Sequence, residues 1–324
     1  MYQHSKLSNN KFSFFQKFKN FDYILLGCIL CLGFISLATM YSTDGGKILF
    51  HTKSHFFKLI IFTIMMLIFS FINIKFWFSI GYLSYVVVVG LLIWTYFFGI
   101  KSSGSQRWMD LYFLNLQPSE LMKICIILCL AKYFHRMKLE RVNSLYAILT
   151  SLIVILLPMG LVIVQPDLGT SLLISMSGLA VLWFAGINHK YFIYTIIGFL
   201  ISLPFIISFL KPYQKLRVLT FLNPDRDPLG AGYQIIQSKI AVGSGGFFGK
   251  GFLKGTQSYL EFLPEKHTDF IFTLFSEEFG FIGSVLLLLI YAIIIYRIIA
   301  IGASSRSYFA KLFCYSFGAS IFVY

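Results

Sequence analysis

Residues 262–272 read Phe262-Leu-Pro-Glu-Lys-His-Thr-Asp-Phe-Ile-Phe272, and from Phe279 to Tyr296 no charged residue follows for eighteen positions. An uncharged apolar run of that length is a membrane-spanning candidate. The polar stretch before it sets Asp269 where a loop enters the span, with Glu277 and Glu278 inside or at the edge of it. Ionisable groups at membrane depth cost several kcal/mol even on low estimates, about 2.5–3.5 per group, and so mark functional candidates.

Working outward, the same pattern recurs. Uncharged runs cover Tyr23–Thr43, Phe76–Ile100, Val142–Pro166, Leu168–Asn188 and Tyr191–Leu210. Two weaker spans, Leu59–Ile74 and Pro118–Phe134, reach sufficient length if Lys58, Lys75 and Lys132 snorkel to the interface. A ninth apolar run begins at Leu312 and reaches Tyr324. Apolar residues make up 57% of the 324 and charged residues 12%, about half the charged share of a soluble domain. Mean hydropathy is +0.78. The expected fold is an all-α polytopic membrane protein with about eight complete transmembrane helices, a partial ninth, and one large external loop at 211–268.

The net charge of +14 raises the question of nucleic acid, and the distribution answers it. Lys6, Lys11, Lys17 and Lys19 precede the first span; Lys132, Arg136, Lys138 and Arg141 lie between the fourth and fifth; Arg297, Arg306 and Lys311 follow the eighth. With a cytoplasmic N-terminus all three clusters fall on the cytoplasmic side, as the positive-inside rule requires. Residues 1–21, a turn near Lys75, 135–145, 187–190 and 297–308 are then inside, and about 42–55, 101–117, 165–167 and 211–268 outside. The first span lacks a small-residue cleavage site and is expected to be retained. No nucleic-acid partner is expected. Five cysteines, all in apolar spans, argue against a disulfide framework, and the six histidines lack metal-ligand spacing.

The 211–268 loop carries eight glycines between Gly230 and Gly255, a density that suits turns and close backbone approach. Tyr233–Val242 has the pattern of a short helix lying in the interface; a solvated loop is the plain alternative. Gly245–Gly251 is not a Walker A motif, because three residues rather than four separate its first Gly from Gly-Lys, and no Ser or Thr follows. Its backbone N–H groups could still cradle a phosphate, with Lys250 and Lys254 supplying charge.

Other candidates lie before and within the spans. Glu120 and Lys123 share a helix face just after Pro118, so they form an intrahelical ion pair or else turn Lys123 toward a cleft. Asp167 opens the sixth span, where an acid suits a helix N-terminus. The external side thus offers acids at 120, 167 and 269 and bases at Arg107, Lys123, Arg217 and Lys239. Such a mixed cluster fits a substrate with an anionic pyrophosphate and a hydroxyl to be activated, and a proton-coupled transporter equally.

Several stretches carry more specific information. Gly104-Ser-Gln-Arg-Trp-Met-Asp110, Gln117-Pro-Ser-Glu-Leu-Met-Lys123, Gln165-Pro-Asp-Leu-Gly-Thr170 and Asp227-Pro-Leu-Gly-Ala-Gly-Tyr233 are followed by Gln237-Ser-Lys-Ile240, Gly243-Ser-Gly-Gly246, Gly249-Lys-Gly251, Gly255-Thr-Gln-Ser258 and Leu260-Glu-Phe-Leu-Pro-Glu265. In this order, and ending in His267-Thr-Asp-Phe-Ile-Phe272, they resemble the RodA branch of the SEDS (shape, elongation, division and sporulation) family. The resemblance runs from about residue 20 to the end. It implies one SEDS-type transmembrane domain over 1–324, of a family whose members have ten helices, in the bacterial inner membrane, with its active site facing outward.

It also implies a peptidoglycan glycosyltransferase that joins lipid II disaccharides during cell-wall elongation and rod-shape maintenance. Undecaprenyl pyrophosphate is released, and a class B penicillin-binding protein and other elongation-complex membrane proteins are the partners. Asp269 matches the family's essential acid. The resemblance makes it the general base, Arg107, Lys123 and Lys239 the pyrophosphate contacts, and Glu120 and Asp167 their orienting acids, with Arg217 among the binding residues. A divalent cation (Mg or Mn) fits the pyrophosphate, without a dedicated metal cage. The family's Pro- and Gly-rich final motif and tenth helix are not found in these 324 residues: either the sequence is incomplete or the gene is shortened. A lipid II flippase and a non-catalytic scaffold for the penicillin-binding protein are the alternatives.

Overall fold

The computed structural model describes residues 18–19, 21–102, 105–110, 115–209, 212–228, 230–255 and 268–324. Lys6, Lys11, Lys17, Gly104 and residues 256–267, which include Leu260–Glu265, lie outside the described residues. Among those described there are eleven α-helices and one small sheet. In chain order they are α1 Tyr23–Thr43, α2 Phe50–Phe71, α3 Ile74–Phe98, β1 Ile100–Ser102, β2 Ser105–Asp110, β3 Asn115–Leu116, α4 Pro118–Arg136, α5 Leu145–Val164, α6 Leu168–Phe184, α7 His189–Phe209, α8 Pro212–Leu222, α9 Ala231–Ser244, α10 Ile271–Ser304 and α11 Tyr308–Val323.

The protein is a polytopic membrane protein. Five helices, α1, α2, α3, α5 and α10, are long and apolar enough to cross a membrane, while α6, α11 and much of α7 form shorter apolar helices. Their surfaces agree: α2 buries only Thr52 of its 22 residues and exposes Phe56, Phe57, Ile60, Ile61, Ile64 and Ile68. Apolar surface of that extent is not left to water.

The chain divides into two compact units. The first comprises 1–21, 72–194 and 295–324, and α4 is its centre. This helix packs against α3, α5, α6 and α11, and 13 of its 19 residues are buried. Met122, Ile126, Ile127, Leu130 and Phe134 meet Leu92, Val162, Ile174, Phe309 and Leu312 in one core. Lipid tails are as apolar as leucine, so close packing rather than water exclusion must hold such helices together. Small residues allow it. A Cβ on Gly178 would stand 2.6 Å from Ile155 Cγ1, and one on Gly81 3.2 Å from the Leu128 carbonyl oxygen.

Lys132 does not snorkel. It is buried, donates to the Ser79 carbonyl at 2.7 Å, and sits over the Tyr82 ring. A carbonyl partner and a ring face inside the bundle replace the water that the sequence reading assumed. The expected external loop at 101–117 also contains structure: β1 and β2 pair antiparallel (Ile100 with Trp108, Lys101 with Gln106), and β2 pairs with β3 (Met109 with Leu116). Gln106 Nε2 donates to the Gly99 carbonyl at 2.7 Å, tying the sheet to the end of α3.

The second unit comprises 22–71 and 195–294. Asp22 caps α1, its Oδ1 accepting from the Leu25 N–H at 2.9 Å. The α1–α2 connection is shorter than the expected 42–55, because α2 begins at Phe50 rather than near Leu59. The physical cause is Asp44, whose Oδ2 accepts from the Thr52 N–H at 3.1 Å and its hydroxyl at 2.5 Å. One otherwise orphaned helix donor is thereby satisfied. Residues 233–242 are helical, within α9, and a 3₁₀ turn at Pro224–Arg226 joins α8 to it.

Candidate active site

In the first unit, three segments meet on one carboxylate. Asp167 is the N-cap of α6, and its Oδ1 accepts from the Thr170 N–H at 3.2 Å. Its Oδ2 accepts from the Arg107 guanidinium of β2 at 2.9 Å and from Gln117 Nε2, at the head of α4, at 3.2 Å. The turn before it is pinned by Gln165, whose Nε2 donates to the Leu92 carbonyl at 2.8 Å and contacts Thr95 Oγ1 at 3.3 Å. Capping and ion pairing are therefore not alternatives for Asp167; one oxygen does each. The Arg107–Asp167 pair is mostly shielded, with side-chain exposures of 30% and 8%. A charge-assisted bond in such a place is shorter and stronger than a neutral one.

Arg107 is not saturated by this contact. Its Nε is shielded from solvent and has no hydrogen-bond partner among the described residues, and neither has Ser119 Oγ in the first turn of α4. Shielded polar atoms without partners are uncommon and call for an explanation such as a ligand. One turn further on, Lys123 pairs with Glu120 at 2.8 Å. Lys123 is mostly buried while Glu120 is half exposed, and the Lys123 ammonium also lies 4.1 Å from the Tyr324 ring centroid. The structure thus brings Arg107 together with Asp167, and Glu120 with Lys123.

The other candidates lie in the second unit. Asp269 is exposed in the turn that leads into α10, where the Ile271 N–H donates to the Thr268 carbonyl. Lys239 is exposed on α9. Arg217 falls on α8, and its side chain lies outside the described set. α9 is tied to the start of α10 by the hydroxyls of Ser238 and Thr273, 2.9 Å apart.

Below Asp269, α10 is held by the Gly-rich segment. Glu277 is fully buried and pairs with Lys250 at 2.6 Å. Glu278, also buried, accepts a short hydrogen bond from the Ser42 hydroxyl of α1. The Lys250 and Gly251 N–H groups donate to the Glu277 and Glu278 carbonyls, both at 3.0 Å, while Phe281 N–H donates to Gly246 O at 2.9 Å. These amides are spent on the helix, so they are not the phosphate cradle that the glycine content suggested. The glycines serve the clamp itself. At Gly280 the helix breaks, with φ 65° and ψ −162°, a region essentially restricted to glycine.

Sequence reasoning missed Gln117, Ser42 and the Lys250–Glu277 pair as a unit. Gln117 was inside a quoted motif, whereas Ser42 and Glu278 are separated by 236 positions. Among the described residues no group of three or more His, Cys, Asp or Glu converges as a metal site. The acids nearest the basic side chains, Asp167 and Glu120, already serve Arg107 and Lys123. This chain's described residues thus offer no ready cage for the divalent cation considered above. The five cysteines are free thiols.

A family model described as FTSW_RODA_SPOVE: Cell cycle protein matches residues 13–324. The chain belongs to the FtsW/RodA/SpoVE family. Peptidoglycan glycosyltransferase MrdB of Escherichia coli K12 is 43% identical over 241 residues, which cover 74% of this chain and 65% of that protein. The chain thus spans somewhat under two thirds of the length of that relative. Among solved structures, a chain from "Structural coordination of polymerization and crosslinking by a peptidoglycan synthase complex" superposes with a TM-score of 0.79 at 26% identity, covering 93% of this chain and 84% of the other. The crystal structure of Thermus thermophilus rod shape determining protein RodA gives a TM-score of 0.67 at 20% identity, covering 93% and 81%. The latter supports the fold alone. The fold is accordingly the RodA-like, all-α polytopic one.

Proposed function

We propose that this chain is a RodA-type peptidoglycan glycosyltransferase that joins lipid II disaccharides into glycan strands. The observation that carries the reading is the pair of shielded, unpartnered polar atoms, Arg107 Nε and Ser119 Oγ, beside the Arg107–Asp167–Gln117 junction. Donors held ready in a water-poor place suit charge that develops on a departing pyrophosphate, a role worth about 2.7–4 kcal/mol for a well-aimed donor. Asp167 and Glu120 orient the two cations. Asp269, exposed at the entrance of α10, is the general base.

In the proposed reaction Asp269 takes the proton of the acceptor GlcNAc C4 hydroxyl. That oxygen attacks C1 of the donor MurNAc, the C1–O bond to the pyrophosphate breaks, and undecaprenyl pyrophosphate leaves with inversion at C1. General base help of this kind contributes typically about 10²–10⁴-fold. Arg217 and Lys239 join the substrate-binding set. A divalent cation would be supplied with the pyrophosphate and would offset its charge, since the described residues provide no cage of their own. The chain sits in the inner membrane with its N-terminus cytoplasmic, supported by the three basic clusters, and the reaction faces outward. The likeness to a chain of a peptidoglycan synthase complex supports a class B penicillin-binding protein as partner. A flippase would need Glu277 and Glu278 to line a path. Both are buried in the clamp, bonded to Lys250 and Ser42, which favours the polymerase.

The test is polymerisation of labelled lipid II by the purified chain with its cognate penicillin-binding protein, beside Asp269→Asn. Strands from the native chain alone are expected. No strands from either, with the complex intact, would point to a scaffold, and equal strands from both would remove Asp269 from the mechanism.

A further inference from the structure

The packing of α3, α4 and α5 leaves a cavity of about 290 Å³, against roughly 30 Å³ for one water in the liquid. Tyr82, Tyr85, Val86, Tyr133, Thr150 and Val154 are among its walls. Val86 is 63% exposed on a helix that crosses the membrane, so the mouth opens to lipid rather than to solvent. The Tyr85 hydroxyl is used on the Val154 carbonyl at 2.9 Å. The Tyr133 hydroxyl is shielded and has no partner. A water held here needs two to four polar partners, and the accessible lining of the cavity is wholly apolar. An acyl chain needs none.

One wall of this cavity borders two cations, of which Lys132 is buried and Arg136 exposed. The Tyr82 ring, part of its wall, lies 4.4 Å from the Lys132 ammonium and 5.8 Å from the Arg136 guanidinium carbon. Lys132 commits one of its three donors to Ser79, and Arg136 is exposed. Lys138 and Arg141 follow at the same end of α4. An apolar slot open to the bilayer, with an exposed guanidinium against its Tyr82 wall, matches the two halves of an anionic lipid. Basic pockets between helices near one membrane boundary recognise anionic headgroups.

We propose that this cavity is a binding site for an anionic diacyl phospholipid. One acyl chain enters between α3 and α5, and the phosphate sits against the exposed Arg136 at the end of α4. The site is separate from the Arg107–Asp167 junction and does not depend on the proposed polymerase activity.

The test uses the full chain, purified and delipidated in detergent, then supplied with dioleoylphosphatidylglycerol, dioleoylphosphatidylcholine or inorganic phosphate. Native mass spectrometry reads the lipid retained, and a thermal melt reads the stabilisation. The native chain should retain phosphatidylglycerol about fivefold over phosphatidylcholine, the preference expected of one well-placed basic residue. Arg136→Gln should bring that ratio near one without changing the melt of the lipid-free protein. Thr150→Trp should lower retention of both lipids, and Val86→Trp, which blocks the mouth from the lipid side, serves should that variant not fold. Equal retention of the two lipids by the native chain would overturn the proposal. So would an undiminished preference in Arg136→Gln, unchanged retention in the tryptophan variant, or equal stabilisation by inorganic phosphate, which would assign the cations to a free anion.

Discussion

Replacing Lys250 with Met removes the ammonium that stands 2.6 Å from Glu277 while keeping most of the side-chain volume. Two unit charges at that separation attract by about 6 kcal/mol at an effective dielectric of about 20. Lys250 is partly exposed, with 28% of its side chain accessible, whereas Glu277 has none, so the net value must be smaller. Breaking a buried pair from one side typically costs about 3–5 kcal/mol, because the remaining charge is left in apolar surroundings or must take up a proton. For a chain of this size that corresponds to a fall in melting temperature on the order of 4–7 °C. The double variant Lys250→Met/Glu277→Leu removes both charges and should recover most of the loss, to within about 1–2 kcal/mol of the native chain. The assay is a thermal melt of all three variants, including Glu277→Leu alone, in the same detergent. A single Lys250→Met variant as stable as the double variant would refute the claim that the ammonium compensates a buried charge.

Three further outcomes are expected. Gly280→Ala places a Cβ 2.8 Å from the Phe247 carbonyl oxygen at a backbone conformation costing about 1–3 kcal/mol for a non-glycine residue; a clear drop in melting temperature is expected, and an unchanged melt would mean the break is not needed. Asp167→Asn keeps a good helix cap but loses the charge facing Arg107, so lipid II polymerisation should fall well before stability does. Asp167→Ala should add about 1 kcal/mol of lost capping, and equal stability of the two variants would show that the Thr170 contact contributes nothing. Arg107→Lys keeps the charge but loses the planar fork; polymerisation should fall at least tenfold, and full activity would remove the guanidinium geometry from the reading.

Much of the fold was legible because membrane helices announce themselves by length and charge. α1 begins and ends where the uncharged run Tyr23–Thr43 does. α2 was displaced by about nine residues because His51, Lys53 and His55 in its first turns read as loop, while the feature that starts the helix is a side chain, Asp44, reaching across a turn. The sheet at 100–116 was missed since its strands are two to six residues long and carry no alternation that a window can register. At the site, the i,i+3 spacing of Glu120 and Lys123 offered their pairing as one of two readings, and the structure shows the pair. The Arg107–Asp167 and Glu278–Ser42 bonds join positions 60 and 236 apart, and nothing local in the chain encodes such a distance.

The burial of α4 bears on how the protein is made. This helix carries Glu120, Lys123 and Lys132 and is absent from the helices apolar enough to span on their own. A lysine at the centre of a helix disfavours insertion from the translocon by about 2.5–3.5 kcal/mol, and one nearer an end, as Lys123 and Lys132 are on α4, by less. Lys123 pairs with Glu120 on α4 itself, but Lys132 finds its carbonyl partner inside the bundle, on Ser79 of α3. During synthesis α4 therefore leaves the ribosome as a reluctant passenger, dependent on α3 already standing in the bilayer to receive it. The helix that bears the proposed pyrophosphate contact is thus the one whose entry into the membrane is a cooperative act, and lesions in α3 should surface as failures of biogenesis before they surface as failures of chemistry.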